Sequence, residues 1–500
     1  MSKRYSELWK GQKWKQLRRN LFRLQRRVYK AVQAGDLRKV RSLQKLILKS
    51  RSAQLLAIRQ VTQLNQGKKT AGIDGKTALK YRERFELLEE LNHYATVWKH
   101  SGLREIPIPK KNGKTRILKV PTIADRAWQC LAKFALEPAH EATFHARSYG
   151  FRTGRSAHDA QKYVFDNLNS VKKGIEKRVI ELDIKKCFDR ISHKAIMERL
   201  IAPSGLKYGI FRCLKAGVNP EFPEQGTPQG GVVSPLLANI ALNGIEAIHP
   251  SVRYADDMVI FLKPKDNAEK VLNKIKAFLA ERDMEISEEK TKITKTTDGF
   301  NFLGWFFRVQ YDGRFKSYPS KENLKNFLKK VKSVANSSNY GAEVKAQKLA
   351  PIVRGWRKYH RYCCMEDSPN NLWFTNKATE RKFRKQKSTN KHESKRLVKK
   401  AFPSVSWKEN GHKMVRGTKS PYDGDLVYWS QRNSKLYDNA TSKALTKQNH
   451  SCGYCELKFI DEERVHLHHI DGNHDNWKKD NLMAVHQSCH QYIHGSKSKD

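Results

Sequence analysis

The chain has 500 residues, 38% of them hydrophobic, enough to bury a sizeable core and to divide into three or four modules. Lys and Arg number 98 against 50 Asp and Glu, a net charge of +48 that repels itself unless a polyanion neutralises it. No apolar run approaches membrane-spanning length, eight unevenly placed Cys exclude a disulfide scaffold and point to a reduced compartment, and no secretory signal opens the sequence.

Residues 1–60 read as two or three basic helices, with 17 Lys/Arg against two acids up to Arg51. An organelle transit peptide has similar composition, but Leu17, Leu21, Leu24, Val28 and Val32 share one helical face, which favours a folded basic module. Its cation excess makes it a nucleic-acid surface, with Arg18, Arg19, Arg23, Arg26 and Arg27 as contact candidates.

Residues 61–310 alternate short β-branched strands with amphipathic helices, one of which aligns Ala268, Val271, Leu272, Ile275, Phe278 and Leu279 on a core stripe. Two strand-like runs carry acids at their ends: Asp183 closes Val179–Ile184, and Asp256-Asp257 abut Met258–Leu262. Three carboxylates held still at strand ends can bind two magnesium ions, one at an attacking hydroxyl and one at a leaving group. Ser234 and Pro235 suit the N-cap and first position of a helix. Asp312-Gly313, between Phe306–Gln310 and Phe315, signals a hairpin.

Helical patterning returns from 320 to 364 and ends in Gly355-Trp356-Arg357-Lys358-Tyr359-His360-Arg361-Tyr362. Residues 377–400 hold 11 Lys/Arg and two acids with few large apolar side chains, which reads as a basic helix or linker and not a core element. Trp407, Tyr422, Tyr428 and Trp429 follow among basic residues, a composition that suits base stacking and the packing of a small module equally. Residues 450–500 carry eight His and three Cys. Cys452-Gly453-Tyr454-Cys455 is a knuckle pair, and His486 with Cys489 can supply a second pair for a structural zinc.

Several motifs in order make the first 310 residues resemble the reverse transcriptase of group II intron-encoded proteins: Leu103–Lys110 leading to Lys114–Ile117, Ser148–Arg152, Asp183–Phe188, Gln225–Gly231, Tyr254–Asp257, Lys290 and Phe302–Trp305. The resemblance implies a right-hand-type polymerase with α+β palm and fingers over 61–310 and a helical thumb or maturase domain over 311–376. A basic DNA-binding region over 377–449 would follow. Asp183, Asp256 and Asp257 would be catalytic and, with Ile184, would hold two Mg2+. Lys110 and Arg116 would grip the incoming deoxynucleoside triphosphate, Arg116 through a bidentate fork. Gln229 would contact the nucleotide, and Phe188 would exclude a ribose 2′-hydroxyl. Phe302–Trp305 would be the primer-gripping turn. Ala255 ahead of the acid pair speaks against an RNA-templated RNA polymerase, where Gly usually stands.

Arg354, Trp356, Arg357 and Lys358 lie in the stretch that, by the same resemblance, binds intron RNA and assists its splicing. Residues 450–500 resemble a ββα-metal (HNH) endonuclease. His469 would be the general base with Asn481 orienting it, and His468, His490 and His494 would hold one divalent ion. Cys452, Cys455, His486 and Cys489 would hold zinc, with His486 standing where the family usually has Cys. Implied partners are a group II intron RNA, target DNA and dNTPs, with no membrane, in a bacterial cytoplasm or an organelle. The implied function is splicing followed by retrohoming, in which a nicked DNA end primes copying of the intron. A domesticated splicing factor is expected to lose Asp183, Asp256 or His469, and a host reverse transcriptase to lack the maturase-like and nuclease-like segments; all of these are present.

Overall fold

The computed structural model describes residues 2–109, 113, 115–217, 221, 223–366, 368–386, 390–434, 437, 439–459 and 465–496. Four helices, Ser2–Lys10, Trp14–Gln33, Leu37–Lys49 and Arg51–Arg59, open the chain. Asp36 caps the third by accepting from the Lys39 N–H at 2.9 Å. The predicted stripe faces inward: Leu21 and Val28 are buried, with Leu17, Leu24 and Val32 packed beside them. These helices have no core of their own. Leu21, Ile47 and Ile58 join Trp128, Leu131, Ile210 and Leu237 in one cluster, so residues 2–60 are fused to the unit that follows.

β1 (Arg104–Pro109) and β2 (Thr115–Val120) form an exposed antiparallel hairpin. The central sheet contains β3 (Arg178–Asp183), β4 (Ser251–Tyr254), β5 (Asp257–Leu262) and β6 (Lys292–Lys295), in the order β4-β5-β3-β6 and antiparallel throughout. Alternation along the strands divides their side chains between two cores. Ile180, Leu182, Met258 and Ile260 join the helical core, whereas Val179, Val259 and Phe261 join an aromatic one containing Trp305 and Phe307. Both faces of β5 are covered, which is why Met258–Leu262 reads as a continuous apolar run. The expected stripe on Ala268–Ala280 buries Val271, Ile275 and Leu279.

β7 (Phe300–Phe302), β8 (Trp305–Val309) and β9 (Phe315–Pro319) make a second sheet. Its last turn is the hairpin signalled by Asp312-Gly313, closed by the Gly313 N–H donating to the Gln310 carbonyl at 2.9 Å. Helices Lys321–Asn336 and Ala342–Tyr359 follow, clustering Phe327, Val331, Leu349 and Val353.

The reading of 377–400 as a basic helix or linker outside the core requires correction: the stretch is helical, but it joins a core. Helices Trp373–Arg384 and Lys391–Ala401 bury Phe383, Leu397 and Ala401 in the same cluster, and Phe402 joins them, so this unit runs to about 402 and the boundary at 376 falls inside it. A helix needs only one apolar stripe to dock, and the Lys/Arg occupy its remaining circumference.

Residues 403–434 cross back over the unit that carries the central sheet. Asp159, fully buried, accepts from Arg432 through both oxygens (2.8 and 3.0 Å), from the Val415 N–H (2.9 Å) and faces His412 Nε2 at 3.1 Å. Burial pushes its carboxyl up, but the His412 contact and the Arg432 charge hold it well below the usual carboxylate range. Tyr422 and Trp429 are buried in this crossing, so these two aromatics pack.

At the end of the chain β10 (Val465–His469) pairs with β11 (Leu482–His486), and helix Gln487–Ser496 completes a ββα unit. No disulfide forms: all eight Cys are free and buried.

Candidate active site and metal centres

Asp183 ends β3 and Asp257 begins β5, and the register makes them Cα partners across the sheet. Asp256 occupies the two-residue turn between β4 and β5, where Ala255 takes a left-handed backbone (φ 59°). A non-glycine residue in that conformation costs on the order of 1 kcal/mol and persists only where its surroundings hold it. Arg253, fully buried, does so. Its Nη1 donates to the Ala255 carbonyl (2.9 Å) and Asn239 Oδ1 (3.0 Å), its Nη2 to Ser148 Oγ (2.8 Å), and its Nε to the fully buried Glu246 (2.5 Å). From the other side Gly150 presses on the turn; a Cβ there would stand 2.3 Å from the Ala255 nitrogen, so no other residue fits.

Burial, then the charges of Asp256 and Asp183, push the Asp257 carboxyl up to about 6, and burial likewise raises Asp256. Lys290 donates to Asp183 Oδ2 at 2.8 Å, and its own pKa is raised by that bond. Two raised carboxyls beside a third acid suit a divalent cation. They form an open set: among the described residues, the groups whose ligand atoms close to within 4.8 Å are two His/Cys clusters elsewhere. Openness fits magnesium, which completes its shell with waters and substrate phosphates. The Ile184 side chain is a hydrocarbon with no ligand atom, so only its backbone carbonyl could serve a metal.

Phe188 sits on the short helix Cys187–Arg190, with its carbonyl accepting from the Thr227 N–H (2.7 Å) and its ring edge-on to Phe151 at 6.5 Å. Gln229 joins two elements: its amide donates to Asp189 Oδ1 (2.8 Å) and its Oε1 accepts from the exposed Arg116 of β2. Lys110 lies outside the described residues. Ser234 is not the N-cap; the helix Ser234–Leu242 begins at it, Val233 holds the cap position, and the Ser234 hydroxyl donates back to the Pro228 carbonyl at 2.8 Å.

A cleft of about 1050 Å³ opens beside the acids, lined by Asp183, Asp257, Lys290, Leu303, Gly304 and Ser320. It joins the acid cluster to the β7–β8 turn and to the start of helix Lys321–Asn336.

The terminal unit holds two clusters. Cys452, Cys455, His486 and Cys489 bring their ligand atoms within 4.8 Å of one another, all four buried, with Cys455 Sγ 3.3 Å from His486 Nδ1. His468, from β10, and His490 and His494, one turn apart on the helix, make the second, with the two helical Nε2 atoms 3.2 Å apart. Three thiols and one imidazole are a normal tetrahedral zinc set, and three imidazoles leave a cation open coordination positions. His469 is buried edge-on to His474 and Trp477, and neither ring nitrogen has a hydrogen-bond partner. Asn481 does not bond that ring. It accepts from the Asp471 N–H (3.0 Å) and donates to the Asp471 carboxylate (2.9 Å), fixing the turn that follows His469.

The cations expected to meet RNA divide. Arg19, Arg23, Arg27 and Arg354 are exposed. Arg18 is half-buried and reaches Ser488 Oγ (3.3 Å), and Arg26 is half-buried against Gly424. Lys358 is half-buried. Trp356 and Arg357 are corrections: they point inward. Trp356 is buried and stacks on Phe327 at 4.4 Å, while Arg357 donates to the carbonyls of Phe402 (3.1 Å) and Pro403 (2.9 Å), with burial lowering its pKa. The Arg253–Glu246–Asn239 network and Asp189, which hold the candidate site residues in place, were missed by sequence reasoning; the one available signal was a charged residue in the short strand Ser251–Tyr254 just ahead of the acid pair.

Residues 108–307 match the model of reverse transcriptase (RNA-dependent DNA polymerase), 9–91 that of the N-terminal domain of reverse transcriptase, and 324–402 that of the group II intron maturase-specific domain. The chain is 39% identical over 407 residues to Maturase-like protein 1 of Euglena gracilis, covering 80% of this chain and 89% of the relative. It is 36% identical over 395 residues to that of Euglena longa, covering 78% and 86%. The group II intron-encoded protein LtrA of Lactococcus lactis subsp. cremoris is 29% identical over 335 residues, half of this chain and 54% of that protein.

Proposed function

This chain belongs to the family of group II intron reverse transcriptases and maturases, and on that premise we propose that it binds an intron RNA, assists its splicing and copies it into DNA. The observation that carries the polymerase reading is the register of Asp183 against Asp257, with Asp256 held in a turn that Arg253 locks. Asp183, Asp256, Asp257 and the Ile184 carbonyl would hold two Mg2+, which when bound supply Lewis acidity at the primer 3′ hydroxyl and the leaving pyrophosphate. Arg116, with Lys110, would receive the triphosphate, and Gln229 would position it against Asp189. Phe188, braced by Phe151, would leave no room for a 2′-hydroxyl. The β7–β8 turn, Phe302–Trp305, would hold the primer terminus at the cleft. The exposed Arg19, Arg23, Arg27 and Arg354 would take RNA phosphates.

For the terminal unit we infer an HNH nuclease that nicks target DNA to supply a priming 3′ end. Cys452, Cys455, His486 and Cys489 would hold structural zinc, while His468, His490 and His494 would hold the divalent ion that stabilises the scissile phosphate. His469 is suited to act as base because its ring nitrogens carry no other bond. Retention of Asp183, Asp256, Asp257 and His469 favours this over a splicing factor without catalysis. The maturase-domain match favours it over a host reverse transcriptase. No described helix is long and apolar enough to cross a membrane.

The test is primer extension on an RNA template with Mg2+, together with sequencing of RNA that copurifies with the protein. Extension lost in Asp256→Asn, with a group II intron among the bound RNAs, is the expected result; extension by Asp256→Asn overturns the assignment.

A further inference from the structure

The Trp356–His360 segment does something other than face RNA. Tyr359 donates its hydroxyl to the Leu303 carbonyl at 2.7 Å, and its ring lies parallel to Trp305 (3°) at 4.6 Å. Leu303 and Gly304 are successive left-handed residues (φ 51° and 79°) at the tip of the β7–β8 turn. Left-handed backbone at a non-glycine residue needs support from its surroundings. Here it comes from one helix, Ala342–Tyr359, and from Asn323 on the helix before it. Asn323 Oδ1 faces both Trp356 Nε1 (2.9 Å) and His360 Nε2 (3.0 Å), and its Nδ2 lies 2.9 Å from where a Cβ on Gly304 would stand. The Ser320 N–H donates to the Gly304 carbonyl (3.0 Å), and His158, from the palm side, meets the Tyr359 carbonyl at 2.8 Å.

We propose that Tyr359, with Trp356, His360 and Asn323 behind it, is a positioning residue that fixes the Leu303-Gly304 turn, and through it the primer terminus, relative to the catalytic acids. Leu303 and Gly304 line the same cleft as Asp183 and Asp257, so a displacement of the turn changes where a primer end rests without touching the nucleotide side at Phe188 and Gln229. The proposal rests on the reading of Phe302–Trp305 as the primer-holding turn.

The test uses the full chain, poly(rA) primed with oligo(dT), and separate titrations of primer–template and dTTP. Tyr359→Phe removes only the hydroxyl and keeps the ring on Trp305. The expected result is a KM for primer–template raised about fivefold, the scale of one lost hydrogen bond. The KM for dTTP, the melting temperature and binding of intron RNA should be unchanged. Gly304→Ala, which crowds Asn323 inside the turn itself, should shift the same constant. If Gly304→Ala shifts it and Tyr359→Phe does not, the positioning role is overturned and the primer-turn reading stands. If neither shifts it, the primer-turn reading falls and the proposal with it. A loss in Tyr359→Phe shared equally by primer and dTTP, or tracking a lower melting temperature, shows a merely structural role and overturns the proposal.

Discussion

Asp183 and Asp257 face one another as Cα partners across β3 and β5, with Lys290 donating to Asp183 from the side. Lys290 serves Asp183, whereas Asp257 lies beside Asp256 with its carboxyl pushed up, a place that suits a bound divalent cation. Asp257→Asn should therefore raise the melting temperature measured in EDTA, because it removes a charge repelled by Asp256 and Asp183. The same variant should lose DNA synthesis with Mg2+. A melting temperature unchanged or lowered would show that the site is not strained.

Arg253 touches no substrate in this reading, yet it carries the catalytic turn. Removing one partner of a fully buried ion pair costs about 3–5 kcal/mol. Arg253→Met is expected to destabilise on that scale and to stop primer extension, and Arg253→Lys should restore neither, since an ammonium cannot supply the fork that reaches Glu246, Asn239, Ser148 and Ala255 together. Chemical denaturation beside primer extension checks both halves.

Phe188→Ala should admit ribonucleotides, with discrimination against the 2′-hydroxyl falling by about 1–3 kcal/mol. Single-nucleotide incorporation with dNTP against rNTP measures it. Unchanged discrimination would assign the gate to another residue.

The two His/Cys clusters should fail differently. His486→Ala removes a buried member of a four-ligand set from a unit whose apolar core is little more than Ala444, Leu445, Phe459, Ala484 and Val485 around the cysteines. Bound zinc should fall and the region after about 450 should become protease-sensitive, because metal binding is much of such a unit's folding energy. His469→Ala should keep zinc and protease resistance and lose only DNA nicking. Full zinc content in His486→Ala would remove it from the ligand set.

Burial holds the His158 imidazole at about 4 and that of His360 at about 3. Both are below the ordinary value of 6.5, so both are neutral in the fold and take up protons on unfolding. Stability is complete above 6.5 and is lost as pH falls, toward about 4 for His158 and about 3 for His360, by up to about 1.4 kcal/mol per group per pH unit. His158→Gln, which can still donate to the Tyr359 carbonyl, should flatten that slope. Melting temperatures across the window decide it.

Much of the site was legible because its chemistry is local. Asp256-Asp257 beside an apolar run, Asp183 at the end of another, the Cys-x-x-Cys pair and His490 and His494 one helical turn apart all need their residue types at short fixed spacings, and the sequence displays them. The Asp312-Gly313 hairpin and the stripe on Ala268–Ala280 are local in the same sense.

Tertiary structure decided whatever depends on which face of an element finds a partner. Trp356 and Arg357 look like a nucleic-acid surface because aromatic and guanidinium groups serve stacking and phosphate as well as they serve packing; only the positions of Phe327 and Phe402 turn them inward. Residues 377–400 look like a basic helix or linker outside the core because a docking helix needs one narrow apolar stripe, and sequence does not say whether a groove awaits it. Asp159 meets Arg432 across 273 positions, and Arg253 meets Ser148 across 105. Such long-range pairs have no spacing to read: a buried charge declares itself only once the chain has closed around it.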